Sequence, residues 1–324
     1  MSNIMIFRPE EVLFSPTVDC NLNCPHCFIK KSKSILPRTP ALRFLAQCKK
    51  LGIKRAGFTG GEPFLAPDFL LALVKSIVKN NMIFDRITTN GVWFKAGNAL
   101  RSTLHALRDA GYDGSISVSV DAFHGQDIAK AALFIKEASR IWGRADIVSI
   151  LCVRGAREKA TEARIRSLAH YLKAHLIGYD TAHAHIRNDK LFLRIHRIGL
   201  SPIGRAEALK DPWDGKWFRE DHCKGPGNIF FVLPNGGVKP CCGYATDAED
   251  LTIGNIKSDS ASVIMKNARK NKFVRAIFGS GLSAIRRRLE ARGVKFPGKT
   301  SSHCYFCHYL LNHIPRPILD RCLD

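Results

Sequence analysis

Apolar and polar positions along the chain change period at regular intervals. Residues 55–59, 83–88, 115–120, 146–153 and 191–198 read as strands, the third alternating strictly as Ser-Ile-Ser-Val-Ser-Val. Between them, residues 40–51, 68–79, 99–110, 128–142 and 157–175 place apolar side chains along one face of a helix, with Gly111 suited to a helix stop. An apolar run at residues 12–18 supplies a first strand. Strands then recur about every thirty residues with a helix between each pair, the size of a repeated βαβ unit. About six such units predict an α/β fold, a partial (β/α)6 TIM-like barrel, because a closed barrel has eight.

The rhythm stops near Asp211-Pro212-Trp213-Asp214-Gly215. Beyond it, residues 229–233, the turn Pro234-Asn235-Gly236-Gly237 and a return ending at Cys241-Cys242 predict a hairpin. Two basic helical stretches and Cys304-Tyr305-Phe306-Cys307 follow. The expected organisation is a barrel over residues 11–206 and a smaller α+β domain over residues 207–324.

Composition narrows the class. The 324 residues are 45% hydrophobic, enough for a sizeable core. Arg8, Glu10 and Glu11 interrupt the amino terminus where a signal peptide needs apolar residues, and Lys75 breaks the longest apolar candidate, residues 69–78. A cytoplasmic protein with no membrane contact is expected. There, eleven cysteines point to metal or redox chemistry rather than disulfides. The net charge of +22 gathers late, at Lys266, Arg269, Lys270, Lys272, Arg275, Arg286, Arg287, Arg288 and Arg292. It suits either solvated helix faces or an acidic partner, nucleic acid or peptide.

The unusual residues sit at strand ends, where parallel α/β folds assemble ligand sites. Cys20, Cys24 and Cys27 follow the first strand at C-x3-C-x2-C spacing, and Pro25 with Asn21 and Asn23 favours a wrapped loop over a helix. Three thiols turned to one centre are one short of the four that hold an ordinary [4Fe–4S] cluster, so one iron would be left open. Gly60-Gly61-Glu62-Pro63, Thr89-Asn90, Asp121, Arg154 and Gly204-Arg205 end later strands. Ser117, Ser119 and Asp121 share one strand face, which implies a polar lumen.

The paired motifs Cys20-x3-Cys24-x2-Cys27 and Gly60-Gly61-Glu62-Pro63 resemble the radical S-adenosylmethionine (SAM) superfamily over roughly residues 11 to 206. The resemblance implies a [4Fe–4S] cluster on Cys20, Cys24 and Cys27, SAM on its open iron, and a 5′-deoxyadenosyl radical that abstracts hydrogen. It also implies an external electron donor of flavodoxin or ferredoxin type. Gly60 and Gly61 allow close backbone approach, and Glu62 is placed to offer a carboxylate to the methionine ammonium. Thr89, Asn90, Ser119 and Asp121 are candidates for the SAM carboxylate or ribose, and His26 for the adenine. Structural zinc on Cys20, Cys24, His26 and Cys27 is the alternative, but it leaves Gly60 to Pro63 unexplained.

Cys223, Gly236 and Cys241 resemble the opening half of the SPASM auxiliary-cluster domain. Only Cys304 and Cys307 follow, as in the shortened Twitch form. The implied second [4Fe–4S] cluster then rests on Cys223, Cys241, Cys304 and Cys307, with a zinc ribbon as the alternative. Cys242 would stand beside it as a hydrogen-atom donor. This Cys-Cys pair, the basic helices and the terminal C-x2-C resemble radical SAM peptide epimerases, although Asn228 stands where that group has an acid. Modification of a ribosomal peptide with an acidic leader is therefore the first expectation. A small metabolite or sugar substrate is the second. A basic zinc-containing nucleic-acid-binding protein is the reading from another class. Cys48, Cys152 and Cys322 have no motif partners and are expected in the core.

Overall fold

The computed structural model describes residues 7–155, 157–219 and 227–323. Its strands are β1 Glu11–Phe14, β2 Arg55–Phe58, β3 Ile83–Thr89, β4 Ser115–Ser119, β5 Val148–Arg154, β6 His175–Ile177, β7 His185–Arg187, β8 Phe192–Gly199, β9 Gly227–Val232, β10 Gly237–Cys241 and β11 Gly254–Asn255. They form one open sheet in the order β11-β10-β9-β1-β2-β3-β4-β5-β8-β7-β6. From β1 through β5 to β8 all neighbours are parallel, the barrel strands that the periodicity predicts. The two ends, β11 and β6, do not meet, so the barrel stays partial.

Helices α1 Arg38–Lys50, α2 Pro67–Lys79, α3 Gly97–Asp109, α4 Ile128–Trp142 and α5 Glu158–Tyr171 cover the outer face. The sequence explains their limits. Asp127 caps α4 by accepting the Lys130 N–H at 3.1 Å, and Gly143 ends it in a left-handed turn at φ 62°. Ala131, Phe134, Ile135, Ala138 and Ile141 bury the face toward the sheet. Deleting a ring such as Phe134 from this packing costs about 3–5 kcal/mol. On β4, Ile116 and Val118 join the same core while the serines turn to the inner face, where the Ser117 and Ser149 hydroxyls lie 3.0 Å apart.

Two local expectations are corrected, and the stretch around Cys304 gains an element. The helix expected over residues 157–175 ends at Tyr171, and Lys173 at φ 52° turns the chain into β6. The stretch holding Cys304 and Cys307 is helical: both lie on α9 His303–His313, whose cap Ser302 accepts the Tyr305 N–H at 3.2 Å. The basic region forms three helices rather than two, α6 Ala261–Lys270, α7 Lys272–Gly279 and α8 Leu282–Glu290; α10 Arg316–Asp320 follows α9.

The later region is stitched onto the barrel. β9 pairs in parallel with β1, matching Val12 with Phe230 and Phe14 with Val232. The Gln47 side chain of α1 accepts the Ala261 N–H at 2.9 Å, and Arg43 donates to the Ile256 carbonyl at 2.8 Å. Several late arginines serve this packing. Arg286 stacks on Trp217 at 4.4 Å, Arg288 donates to the Cys322 carbonyl at 3.1 Å, and Arg269 donates to the Phe7 carbonyl at 3.3 Å. Cys48, Cys152 and Cys322 are buried in the aliphatic core. Among the described residues no helix is long and apolar enough to cross a membrane.

Candidate active site

Cys20, Cys24 and Cys27 lie on the irregular loop after β1, as the proline and asparagines predict. They line a cavity of about 210 Å³ at the carboxyl ends of the strands. The loop is held from several sides. Asn90 donates to the Asn21 side chain at 2.8 Å and lies 3.7 Å from the Cys20 sulfur, while Asn21 donates to the Val92 carbonyl at 3.2 Å. Arg205 donates to the Cys27 carbonyl at 3.1 Å and to the Asn23 side chain. Gly204 permits that approach: a Cβ there would lie 2.8 Å from the Phe28 Cα. Gly61 packs against the loop still more closely, since a Cβ would lie 2.1 Å from the Asp19 carbonyl oxygen.

The donor set fits a cationic cluster. Burial raises the Cys20 thiol, and burial together with neighbouring Cys20 and Cys27 pushes Cys24 up to about 12. Three thiolates this close oppose one another until a cation joins them, and a coordinated metal reverses that penalty.

Gly60, Gly61, Thr89, Asn90, Ser119, Asp121 and His26 all border the same cavity. Glu62 is the exception. It is fully buried, outside the cavity lining, and its carboxylate accepts from the Thr89 hydroxyl at 2.8 Å, the Asn90 N–H at 2.8 Å and the Phe64 N–H at 3.2 Å. In this geometry it clamps the β2 and β3 ends rather than facing a ligand. Burial raises it to about 7 against the pull of those bonds. Asp121 is similarly engaged, accepting from the Phe123, His124 and Val153 N–H groups at 2.8, 2.9 and 3.0 Å and bonding the His124 ring at 2.8 Å. Burial would raise its carboxyl, but the His124 bond and charge with the backbone donors hold it below its usual value. The His26 ring meets His124 edge-on at 4.7 Å, and burial, followed by that neighbour, lowers it to about 4.

His124 and Tyr244 are cavity residues that sequence reasoning missed. His124 stands three residues after Asp121, the available signal. Tyr244 comes from beyond the hairpin, meets Phe28 edge-on at 5.0 Å, and borders both this cavity and a second one.

The second cavity, about 30 Å³, is lined by Cys241, Cys304, Cys307 and His303 among others. A Cβ on Gly243 would lie 3.7 Å from the Cys241 sulfur and 3.9 Å from that of Cys304, so two thiols approach one point. Thiolates gathered from a hairpin and a helix suit a closed cluster. Cys223, the fourth expected ligand, lies outside the described residues. His303, with Nε2 at 3.5 Å from the Cys304 sulfur, was not anticipated.

Cys242 turns the other way. It packs with Leu13, Ile229 and Phe231, which face away from the core residues Val12, Phe14, Phe230 and Val232 and so line the inner side of the sheet. Burial drives its thiol strongly upward, with Cys241 and Glu11 adding to the effect. Asn228 adopts φ 61° at the start of β9, and its side chain accepts the Arg8 N–H, so no acid occupies that place.

The radical SAM superfamily model matches residues 14–149, and the SPASM iron–sulfur cluster-binding domain matches residues 223–289. GTP 3′,8-cyclase from Limosilactobacillus fermentum is 29% identical over 267 residues, 76% of this chain and 71% of that protein. Among solved structures, native anSMEcpe with bound AdoMet superposes with a TM-score of 0.59 at 15% identity, covering 97% of this chain and 98% of its own. The same protein with AdoMet and a Cp18Cys peptide gives 0.56 at 16% identity, covering 97% and 98%. SuiB from Streptococcus suis gives 0.57 at 16% identity, covering 93% of this chain and 78% of that one.

Proposed function

We propose that this chain, a member of the radical SAM superfamily with a SPASM-type auxiliary domain, abstracts a hydrogen atom from a peptide substrate held in the barrel and returns one from Cys242. SAM and [4Fe–4S] clusters are its cofactors. Cys20, Cys24 and Cys27 would hold the cluster that binds SAM, and Cys223, Cys241, Cys304 and Cys307 the auxiliary one. When bound, reduced cluster and SAM supply a 5′-deoxyadenosyl radical.

The chain's own residues do the rest. Gly60 and Gly61 keep the backbone against the cysteine loop, and Glu62 fixes Thr89 and Asn90 so that Asn90 can steady Asn21 and Cys20. Asp121 orients His124 toward His26 at the cavity wall. Together with Arg205 and Phe28 these groups shape the cavity and limit water.

The observation that carries hydrogen return is the placement of Cys242. A hydrogen-atom donor must keep its S–H bond, and burial holds this thiol undissociated on the inner face of the sheet. Loss of that hydrogen to a substrate carbon radical leaves a thiyl radical. One electron from a flavodoxin- or ferredoxin-type donor and one proton restore it. On a peptide α-carbon the net result is epimerisation.

The test incubates reconstituted protein, SAM and reductant in deuterated water with a short peptide encoded beside its gene. Deuterium at one residue with release of 5′-deoxyadenosine is expected, and Cys242→Ala should keep both clusters but lose deuterium return. Unlabelled loss of two hydrogens would sink epimerisation. The GTP 3′,8-cyclase relatives favour a second reading, a phosphorylated small metabolite. Conversion of GTP with no peptide product would establish it instead.

A further inference from the structure

The inner face of the sheet does not end at the SAM cavity. Leu151 and Val153 of β5 border that cavity, and they pair directly with His196 and Ile198 of β8, which therefore share its face. Along β8 the same face carries Arg194 and Phe192, while Leu193 and Ile195 turn into the core. Pairing continues it across two short strands. His185 lies beside Arg194 and Arg187 beside Phe192 on β7; Ile177 lies beside His185 and His175 beside Arg187 on β6.

The resulting strip has a definite chemistry. His175, His185, Arg187, Arg194 and His196 are set among Ile177, Phe192 and Ile198, which are 39%, 36% and 42% exposed. The strands themselves carry no acid; Asp180 and Asp189 lie in the connecting turns. Phe192 is the centre of a small stack, with the His185 ring at 5.0 Å and the Arg194 guanidinium at 6.0 Å. Arg197 serves as a contrast: it turns away, stacks on Tyr179 at 5.3 Å and bonds the Thr181 carbonyl, so its charge is used in the fold. Among the described residues, His175, His185, Arg187, Arg194 and His196 form no ion pair with an acid.

We infer that this strip is a docking track for an extended acidic segment of the peptide substrate, leading past Ile198 into the SAM cavity. The inference deepens the peptide reading above and rests on it. Charge complementarity sets the sign of the ligand. Length sets its form: from Phe192 to Ile198 the strand runs about 20 Å, and three strands span about 10 Å. A single phosphate group would leave most of that track bare, whereas an extended peptide alternating acidic and apolar side chains matches its cations and exposed hydrophobics.

The test titrates the full chain with a fluorescein-labelled peptide of alternating Glu and Leu and follows anisotropy, with a Lys-Leu peptide and GTP as comparison ligands. The acidic peptide should bind more tightly than the basic one and weaken as salt rises. The paired change Arg187→Ser with Arg194→Ser should weaken it by about tenfold, since each exposed charge contributes modestly. Arg187→Lys with Arg194→Lys should retain binding, and Lys266→Ser with Lys270→Ser on α6 should change it less than about twofold. No preference for the acidic peptide overturns the track, as does loss through the α6 variant alone. Displacement by GTP that disappears in the serine variant also overturns it, in favour of a phosphate site. Anisotropy needs neither cluster nor turnover. Binding of the acidic peptide, with no release of 5′-deoxyadenosine when reconstituted protein is given the peptide encoded beside its gene, would therefore support the track while overturning the peptide chemistry.

Discussion

The two cysteine sites are built on opposite plans. The first is an irregular loop fixed by the backbone of Gly61 and Glu62 after β2 and by the side chains of Asn90 after β3 and Arg205 after β8, and it opens onto about 210 Å³. The second joins a hairpin to a helix around about 30 Å³. Spare volume beside three thiols accommodates a further ligand; a tight site ringed by cysteines does not. The loop site is thus suited to chemistry and the hairpin site to a fully ligated centre. Their glycines repeat the contrast: Gly61 sits where no side chain fits, whereas a Cβ on Gly243 would meet two sulfurs at ordinary contact distance.

The largest expected effect separates the sites by their cysteines. Cys24→Ala should abolish SAM cleavage and remove one cluster's iron, whereas Cys304→Ala should remove the other cluster's iron and leave measurable release of 5′-deoxyadenosine. Iron analysis and product chromatography decide it, and identical losses in both variants would erase the distinction. Next comes Gly61→Ala, which drives a methyl into the Asp19 carbonyl and should lower SAM affinity at least tenfold by calorimetry. Gly243→Ala, with contacts of 3.7 and 3.9 Å, should bind SAM normally and keep the auxiliary iron.

Glu62→Gln should have a smaller effect. The amide can accept through only one oxygen, and its NH2 faces a donor, so about 1–3 kcal/mol of stability should be lost in denaturant titration. The smallest effect is a pH dependence. Burial, followed by neighbouring Asp85, raises Glu11 to about 7 from 4.5, despite Arg86 and Arg55. The folded state therefore holds a proton that the unfolded state releases earlier, and stability falls as pH rises between those values. Thermal melts of Glu11→Gln should lose that slope and exceed the native protein at pH 8. An unchanged slope would show that Glu11 ionises freely.

Much of this was legible beforehand because period and punctuation agree. The barrel helices announce themselves by spacing, and Ser117 and Ser119 by strict alternation. Strands β6 and β7 escaped because three residues carry no usable period, and His175 continues a helical pattern past the point where Lys173 breaks it. Motif spacing brought the three loop cysteines together, but it could not show which way Glu62 turns, since its partners at 89 and 90 belong to another strand. For the same reason, adjacency of Cys241 and Cys242 did not reveal that they serve opposite faces.

The pairing of β9 with β1 has a consequence for how the molecule can be divided. The auxiliary region contributes the wall that shields one flank of the first strand, on which the cysteine loop begins. Cutting the chain after the barrel would bare the Val12 and Phe14 edge to solvent and to other copies, a recipe for edge-to-edge association. The two motif-bearing halves are therefore poor candidates for exchange as independent cassettes, and any chimera must carry the hairpin along with the barrel.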